Sequence, residues 1–378
     1  MKRLRNFNDL IFDEQQHCSI KDRKIDDIIH MIRDFIHDSK MKNKVLKIIS
    51  IDQKKAFDSI IHSYLFKLLK RINIGNRLIK IIENLYNGSV TRLKINGMLL
   101  EEIKVKKSIK QGDPLSMWLY ILALQEMLIS IKNNPNINGY KLNILNNGET
   151  KVRAYADDVG GTLVNDDSIK ELFNEFEKWG KYSGGEINKS KTRILNINGM
   201  IDKDLEILCV DEIKILGVKF DKNGISSSNV KEIFNKIDIS IHLWNFKEFD
   251  MLQRITALKT FILSKLWFIL NFIYLDKNEI MMLEKKIYLY LWSNKQELIK
   301  RSTLIKAKKE GGLDMIDINA KIEAIRIKHY LYLLKNFNRI EYQYGLKWMK
   351  FKMKNYINNI NIIPYESCNN KYYENIIL

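Results

Sequence analysis

The stretch VLKIISID (45–52) is almost continuously apolar until it reaches Asp52, a pattern that predicts a buried strand with an acid at its end. From Ile60 onward Ile61, Tyr64, Leu65, Leu68, Leu69 and Ile72 recur at helical spacing, and Gly75 supplies the stop. A shorter helix is expected over Asn76 to Tyr86. Asn96-Gly97 then separates two strand-like runs, VTRLKI and MLLEEIKV, which predicts a hairpin on a type I′ turn. In QGDPLSMWLYILALQEMLISI, Asp113 reads as an N-cap and Pro114 as the first residue of a long apolar helix. YKLNIL, the turn NNGE and TKVRAYA predict two more strands. The second runs into Asp157 and Asp158 at a hairpin tip, with GGTLV following. A helix from about Ser168 to Tyr182, the turn SGGE, a strand over INKSKTRILNI (187–197) and a short hairpin over IKILGVKF and DKNG complete this part.

Beyond Ser228 the pattern changes to helices alone, at about 229–246, 252–275, 277–293 and 318–336. The expected class is therefore α+β, an antiparallel sheet with helices packed on it, followed by an all-helical region. The sequence holds no repeat, low-complexity tract or Pro- or Gly-rich linker. The most apolar run, Leu258 to Leu275, is interrupted by Lys259 and Lys265, which predicts a buried helix rather than a membrane span.

Composition adds a partner class. Of 378 residues 46% are hydrophobic, ample for a core, and the net charge is +18. That excess points to a polyanion: nucleic acid first, an anionic membrane second. Cys18, Cys209 and Cys368 are too few and too scattered for a disulfide framework or a cysteine-based zinc site, and suit a reducing, intracellular compartment.

The acids carry the chemistry. Asp52 ends one strand, and Asp157 with Asp158 ends another. Adjacent strands would bring three carboxylates together, where mutual repulsion demands a cation. Hard divalent ions accept carboxylate oxygens together with substrate phosphates, and two of them can serve phosphoryl transfer. Asp-Asp alone is also common in solvated turns, so this reading rests on the flanking strands.

At this point the order of motifs is informative. SIDQKKAFDSIIH, SIKQGDPLSMWLY, AYADD, SGGEINKSKT and KILGVKF resemble the palm motifs A to D and the following hairpin of reverse transcriptases, in the LINE-type (non-LTR retrotransposon) group. RITALKTFILSKLWF and the segment from IYLYLWSNK to GGLDMIDI look like that group's thumb and post-thumb. The resemblance spans about residues 13–335. It implies partial fingers at 1–44, a palm with insertions at 45–227, a helical thumb at 228–295 and a basic, helical post-thumb region at 296–378.

The resemblance also implies roles. Asp52, Asp157 and Asp158 match ligands for two Mg²⁺ ions, with Mn²⁺ as a substitute, and the backbone of Gln53 would also face a metal. Phe57 matches the aromatic gate that a ribose 2′-OH strikes. Gln111 and Gly112 match the loop near the incoming nucleotide and template. Lys191 matches a general acid for the leaving pyrophosphate, with Lys189 as a close rival and a solvated strand lysine as the plain alternative. Leu216-Gly217 match the hairpin that grips the primer. KRSTLIKAKK (300–309) reads equally as a tracker of duplex backbone and as a solvated face. The implied activity is RNA-directed DNA synthesis from dNTPs, on an RNA template with a DNA primer or target. The work is nuclear by family, with the cytoplasm the other option. No membrane partner is expected.

Departures from the group's pattern qualify the expectation. Arg23 and Asp26 or Asp27 survive in QHCSIKDRKIDDII (16–29), but Cys18, Ser19 and Asp22 replace Gly, Phe and Gly. Ser108 stands for Gly and Met117 for Pro. Gly160 and Gly161 stand where apolar strand residues are usual, and glycine weakens a strand. The earlier fingers motifs and an endonuclease are not found, so nicking is expected from a missing segment or another polypeptide. A truncated remnant that only binds nucleic acid is the alternative function. RNA-templated RNA synthesis is disfavoured by Phe57 and the ADD context on family grounds.

Overall fold

The computed structural model describes residues 8–142, 148–200, 202, 205–245, 248–336, 339, 341, 342 and 345. The chain divides into two compact units, Met1–Ile28 with Asp38–Gly217, and Ile29–His37 with Val218–Leu378.

In the first unit α1 (Asn8–Ile11) and α2 (Ile25–Met41) precede β1 (Leu46–Ile51). The middle of α2 is counted with the second unit. Leu46, Ile48, Ile49 and Ile51 are all buried, as a strand covered on both faces requires. Next come α3 (Ala56–Ser59), α4 (His62–Arg71) and α5 (Asn76–Tyr86). The predicted hairpin follows as short ribbons: β2 (Val90–Thr91) pairs with β5 (Ile103–Lys104), and β3 (Lys94–Ile95) with β4 (Met98–Leu99). Asn96 and Gly97 have φ of 48° and 87°, the two left-handed residues a type I′ turn demands. Leu93, Ile95 and Met98 stay exposed, so the ribbon stands outside the core.

Helix α6 (Ser116–Asn133) is buried nearly all round, which its apolar sequence anticipates. It starts two residues later than predicted. Asp113 Oδ1 accepts the N–H of Leu115 (2.7 Å), so this acid closes a turn ahead of the helix instead of capping it. β6 (Tyr140–Lys141) pairs with β7 (Glu149–Thr150), and most of the expected turn between them lies outside the described residues. β8 (Val152–Tyr155) and β9 (Asp158–Leu163) form a hairpin, and α7 (Asp166–Ser183) follows with Asn165 as its N-cap, accepting from the N–H of Ser168 (2.8 Å). β10 (Arg193–Ile197), β11 (Leu208–Cys209) and β12 (Glu212–Ile215) end the unit. The main sheet has the order β11-β10-β1-β9-β8, antiparallel except for β10 and β11. The strand predicted over 187–197 is halved: residues 189–191 turn, and only Arg193–Ile197 extends.

Lys47 shows how the sheet is tied to α7. It is 2% exposed within β1, and its Nζ reaches Asp166 Oδ1 and the carbonyl of Met200, each at 2.6 Å. A buried ammonium persists only when paired and hydrogen-bonded in this way.

The second unit has a hairpin, β13 (Val218–Asp221) with β14 (Gly224–Ile225), then α8 (Ser228–Asn245). The helix predicted over 252–275 is broken into α9 (Met251–Ala257), a π-helical turn over Leu258–Ile262, and α10 (Ser264–Leu270). α11 (Lys277–Leu291), α12 (Arg301–Ile305) and α13 (Ile318–Lys335) follow. In the basic run 300–309, Arg301 is engaged by Glu297 (2.6 Å) and lies over the Tyr288 ring (4.1 Å), while Lys300, Lys306, Lys308 and Lys309 are exposed. Much of the last region, Cys368 included, lies outside the described residues. No described helix is long and apolar enough to cross a membrane.

His30 and His329 lie ring to ring in this unit, centroids 4.0 Å apart, and His30 is 1% exposed. Burial, then the charges of His329 and Arg33, hold His30 well below the ordinary imidazole range. The folded form therefore keeps His30 neutral, while the unfolded chain takes up a proton below about pH 6.5. Stability is complete above that pH and is lost as the pH falls below it. Denaturation followed from pH 7.5 to 5 is expected to show this loss, and His30→Phe is expected to flatten it. An unchanged slope in the variant would contradict the assignment.

Candidate active site

Strand register brings Asp52 and Asp158 to neighbouring strand ends, with Asp157 in the adjoining turn. β1 and β9 run antiparallel with Ile51 opposite Val159, so Asp52 follows the last residue of β1 where Asp158 opens β9. The β8–β9 hairpin has Tyr155 opposite Asp158, so Ala156 and Asp157 form its two-residue turn. Ala156 has φ 57°, a left-handed conformation that costs a side chain about 1–2 kcal/mol. The N-terminal segment braces it. Gln16 Oε1 accepts the N–H groups of Ala156 (3.2 Å) and Cys18 (2.9 Å). Ala154 exchanges backbone bonds with Gln15 and His17, both 2.9 Å.

Asp157 and Asp158 are exposed and Asp52 is half-buried. The Asp158 carboxyl is nonetheless partly desolvated, and this, followed by the charges of Asp157 and Asp52, raises its pKa. Among the described residues no three acids or other ligating side chains stand close enough to hold a metal ion together. The charges of Asp157 and Asp52 reach Asp158 without the three forming a single ligand group.

Tyr120, on α6, joins the site through Gln53. Its hydroxyl donates to Gln53 Oε1 (3.0 Å), and Gln53 Nε2 donates to the carbonyl of Asp157 (3.0 Å). Burial, and then the charges of Asp157 and Asp158, push the phenol pKa far up, so it remains a donor. The Phe57 ring stacks on Tyr120, centroids 4.3 Å apart at 20°. Gln53 thus enters through its side chain, while its backbone bridges to Ile187.

A cavity of about 760 Å³ adjoins Asp52, and Lys54, Lys55, Lys107 and Lys191 line it. Lys191 reaches it because the halved strand turns here. The N–H of Asn188 donates to the carbonyl of Asp52 (2.7 Å), and Lys191 and Thr192 donate back to the carbonyl of Asn188 (3.1 and 2.9 Å). Its rival Lys189 pairs with Glu206 at 3.4 Å. Lys54 pairs with Glu186 (3.3 Å), whereas Lys55, Lys107 and Lys191 have no acidic partner among the described residues. Gln111 and Gly112 do not line this cavity. Gly112 has φ 85° and nothing within 4 Å of where a Cβ would stand, so conformation rather than crowding calls for glycine there. Leu216 and Gly217, φ 50° and 86°, form a left-handed turn at the end of the unit.

The departures noted in the sequence have structural counterparts. Cys18 and Met117 touch each other, with Sγ 3.5 Å from Sδ. Asp22 and Ser108, both in place of glycine, have φ of 59° and 105°. Gly160 and Gly161 lie in a strand bonded on both sides, and a Cβ at Gly161 would meet Leu172, Lys151 and Ile49 at ordinary contact distances of 3.5–3.8 Å. Gly161→Ala is therefore expected to stabilise the fold by about 0.5 kcal/mol in urea denaturation. A loss of stability would show that Leu172 cannot yield.

Sequence reasoning missed Tyr120 and Gln16. Tyr120 is hidden in an all-apolar helix, where a tyrosine reads as core. Gln16 works across 140 residues of sequence, with no local signal.

Comparison with known proteins decides the family. The family model described as reverse transcriptase (RNA-dependent DNA polymerase) matches residues 1–220, more than half of the chain. The chain belongs to the reverse transcriptase family. Its relatives include retrotransposon proteins of the non-LTR kind. The transposon TX1 uncharacterized 149 kDa protein of Xenopus laevis is 25% identical over 343 residues, covering 85% of this chain and 25% of that protein. The Pol polyprotein of the type-2 retrotransposable element R2DM of Drosophila melanogaster is 26% identical over 238 residues, covering 58% and 22%. The chain thus spans about a quarter of the length of these relatives. Among solved structures, telomerase from Candida tropicalis in complex with a TWJ fragment of telomeric RNA matches with a TM-score of 0.49 and 15% identity, covering 90% of this chain and 54% of that one.

Proposed function

We propose that this reverse transcriptase chain copies RNA into DNA for a non-LTR retrotransposon, transferring nucleotides from dNTPs to a primer 3′-hydroxyl. The observation that carries the reading is the register, Ile51 opposite Val159, that puts Asp52 and Asp158 at neighbouring strand ends, with Asp52 on the wall of a cavity lined by Lys55, Lys107 and Lys191. Mg²⁺, or Mn²⁺ in its place, suits this donor set. The oxygens are hard, one or two carboxylates with substrate phosphates suffice for Mg²⁺, and partial burial, then the charges of Asp157 and Asp52, raise the pKa of Asp158, a cost to its charged form that a cation would offset. Asp52, Asp157 and Asp158 would hold two such ions, whose bound chemistry is charge stabilisation at the reacting phosphate.

The remaining work falls to the chain. Lys55 and Lys107 attract the triphosphate electrostatically, and Lys191 Nζ offers a proton to the departing pyrophosphate. The stacked Phe57 ring lies under the sugar and strikes a 2′-hydroxyl. Gln111 and Gly112 face the new base pair, and Leu216-Gly217 hold the primer end. In this reading the first unit is palm with partial fingers and the helices of the second are thumb and post-thumb. The partners are an RNA template and a DNA primer or target, nicked by a further segment or another polypeptide, in the nucleus.

A second reading is a remnant that binds nucleic acid through its +18 charge without catalysis. It is favoured by the acids not converging as a three-ligand group. Purified chain given primed RNA, four dNTPs and Mg²⁺ separates the two. DNA product that vanishes with EDTA supports the polymerase. Salt-sensitive RNA binding without any product supports the remnant.

A further inference from the structure

Every polar group of Ser108 is bound to the segment that follows Phe57. Its N–H donates to the carbonyl of Ile60 (2.9 Å), its hydroxyl to Asp58 Oδ1 (3.0 Å), and its carbonyl lies 2.8 Å from His62 Nε2. A carbonyl only accepts, so the proton of the imidazole sits on Nε2 in this contact. His62 is 8% exposed, and its ring meets that of Tyr86 edge to face, centroids 5.0 Å apart. Two backbone bonds complete the seam: the N–H of His62 donates to the carbonyl of Lys106 (3.1 Å), and that of Ile109 to the carbonyl of Phe57 (2.7 Å). Ser108 is held at φ 105°, which a side-chain-bearing residue keeps only when its surroundings over-determine it. Three residues later come Gln111 and Gly112.

We propose that His62 is a positioning residue: with Asp58 it clamps Ser108 and so fixes the Gln111-Gly112 loop against the segment bearing Phe57, setting how strictly the site selects the sugar of its nucleotide. The proposal rests on the polymerase reading above for its substrate, but not for the clamp itself. His62 touches no substrate. It acts by holding the Gln111-Gly112 loop and the segment that follows Phe57 at a fixed distance. Loss of one buried hydrogen bond of this kind is worth about a tenfold change in an equilibrium.

The test uses the full chain with two readouts. Amide hydrogen exchange at 109–112 reports the clamp, and the ratio of dNTP to rNTP incorporation reports its consequence. In His62→Leu, exchange at 109–112 is expected to quicken about tenfold with the rest of the first unit unchanged. KM for dNTP is expected to rise about tenfold with kcat nearly constant, and sugar discrimination to fall by a similar factor. His62→Gln, which keeps an N–H at comparable reach, is expected to restore both. Ser108→Gly guards against a variant that fails to fold. It relieves the backbone conformation and loses the Asp58 bond, so melting temperature is expected to hold or rise while the loop still exchanges faster. Unchanged loop exchange in His62→Leu, a uniform change across the unit, or slower loop exchange in Ser108→Gly would overturn the clamp. If the native chain makes no DNA at all, the polymerase reading fails while the exchange measurement still decides the clamp.

Discussion

Phe57→Ala is expected to raise ribonucleotide incorporation about 100-fold relative to deoxynucleotides, in single-nucleotide primer extension with Mg²⁺. The magnitude follows from rigidity. A mobile ring merely moves aside for a 2′-hydroxyl. Here the ring is stacked at 4.3 Å on Tyr120, the Tyr120 hydroxyl is fixed to Gln53, and Gln53 is fixed to the carbonyl of Asp157. The Phe57 ring is therefore tied to the turn that carries Asp157. Gln53→Ala is expected to relax discrimination in the same direction by a smaller factor, since it frees Tyr120 without removing the ring. Unaltered discrimination in Phe57→Ala would show that the ring belongs to the core alone.

The second large effect concerns Gly184, the residue after α7 and part of the cavity wall beside Asp52. It has φ 85°, and an added Cβ would stand 2.4 Å from the carbonyl oxygen of Ser59 and 2.9 Å from Ile61. A backbone carbonyl in a packed seam cannot swing away as a side-chain end can. The left-handed conformation and the overlap each cost one or two kcal/mol, so Gly184→Ala is expected to destabilise the fold by about 3 kcal/mol. That corresponds to a melting temperature lower by about 6–12 °C in a unit of this size. Because Ser59 and Ile61 flank the segment after Phe57, activity is expected to fall further than stability alone explains. A melting temperature within a degree of the native value would mean that the close approach is not kept in solution.

Much of this architecture can be read from sequence where a local rule operates. β1 is legible as a continuous apolar run, the Asn96-Gly97 turn from the conformations only such residues accept, and α6 from its length and apolarity. The motif order made the family legible. What escaped reading depends on partners distant in sequence. The strand expected at 187–197 begins only at Arg193: ahead of it Asn188 bonds to Asp52, more than a hundred residues away, and the turn there delivers Lys191 to the cavity. Asp113 belongs to a turn because the N–H of Leu115 lies within its reach, a shift of two residues that propensity does not settle. The glycine pair after the acids looked like a weakness. Paired on both edges, the strand holds its register through it. Ser108 and Asp22, which depart from the group's glycines, keep the left-handed backbone that glycine serves, so fold survives the substitutions at a cost in strain.

The account stands on Asp52, Asp157 and Asp158 acting as one reacting centre. The direct measurement is single-turnover extension of a primed RNA template by the native chain, Asp52→Asn and Asp157→Asn, with RNA affinity measured on the same samples. The account predicts Mg²⁺-dependent DNA synthesis by the native chain and a loss of at least about 1000-fold in either variant, with RNA binding unchanged within a few-fold. Synthesis that persists in both variants, or none in the native chain while RNA is bound, would contradict it.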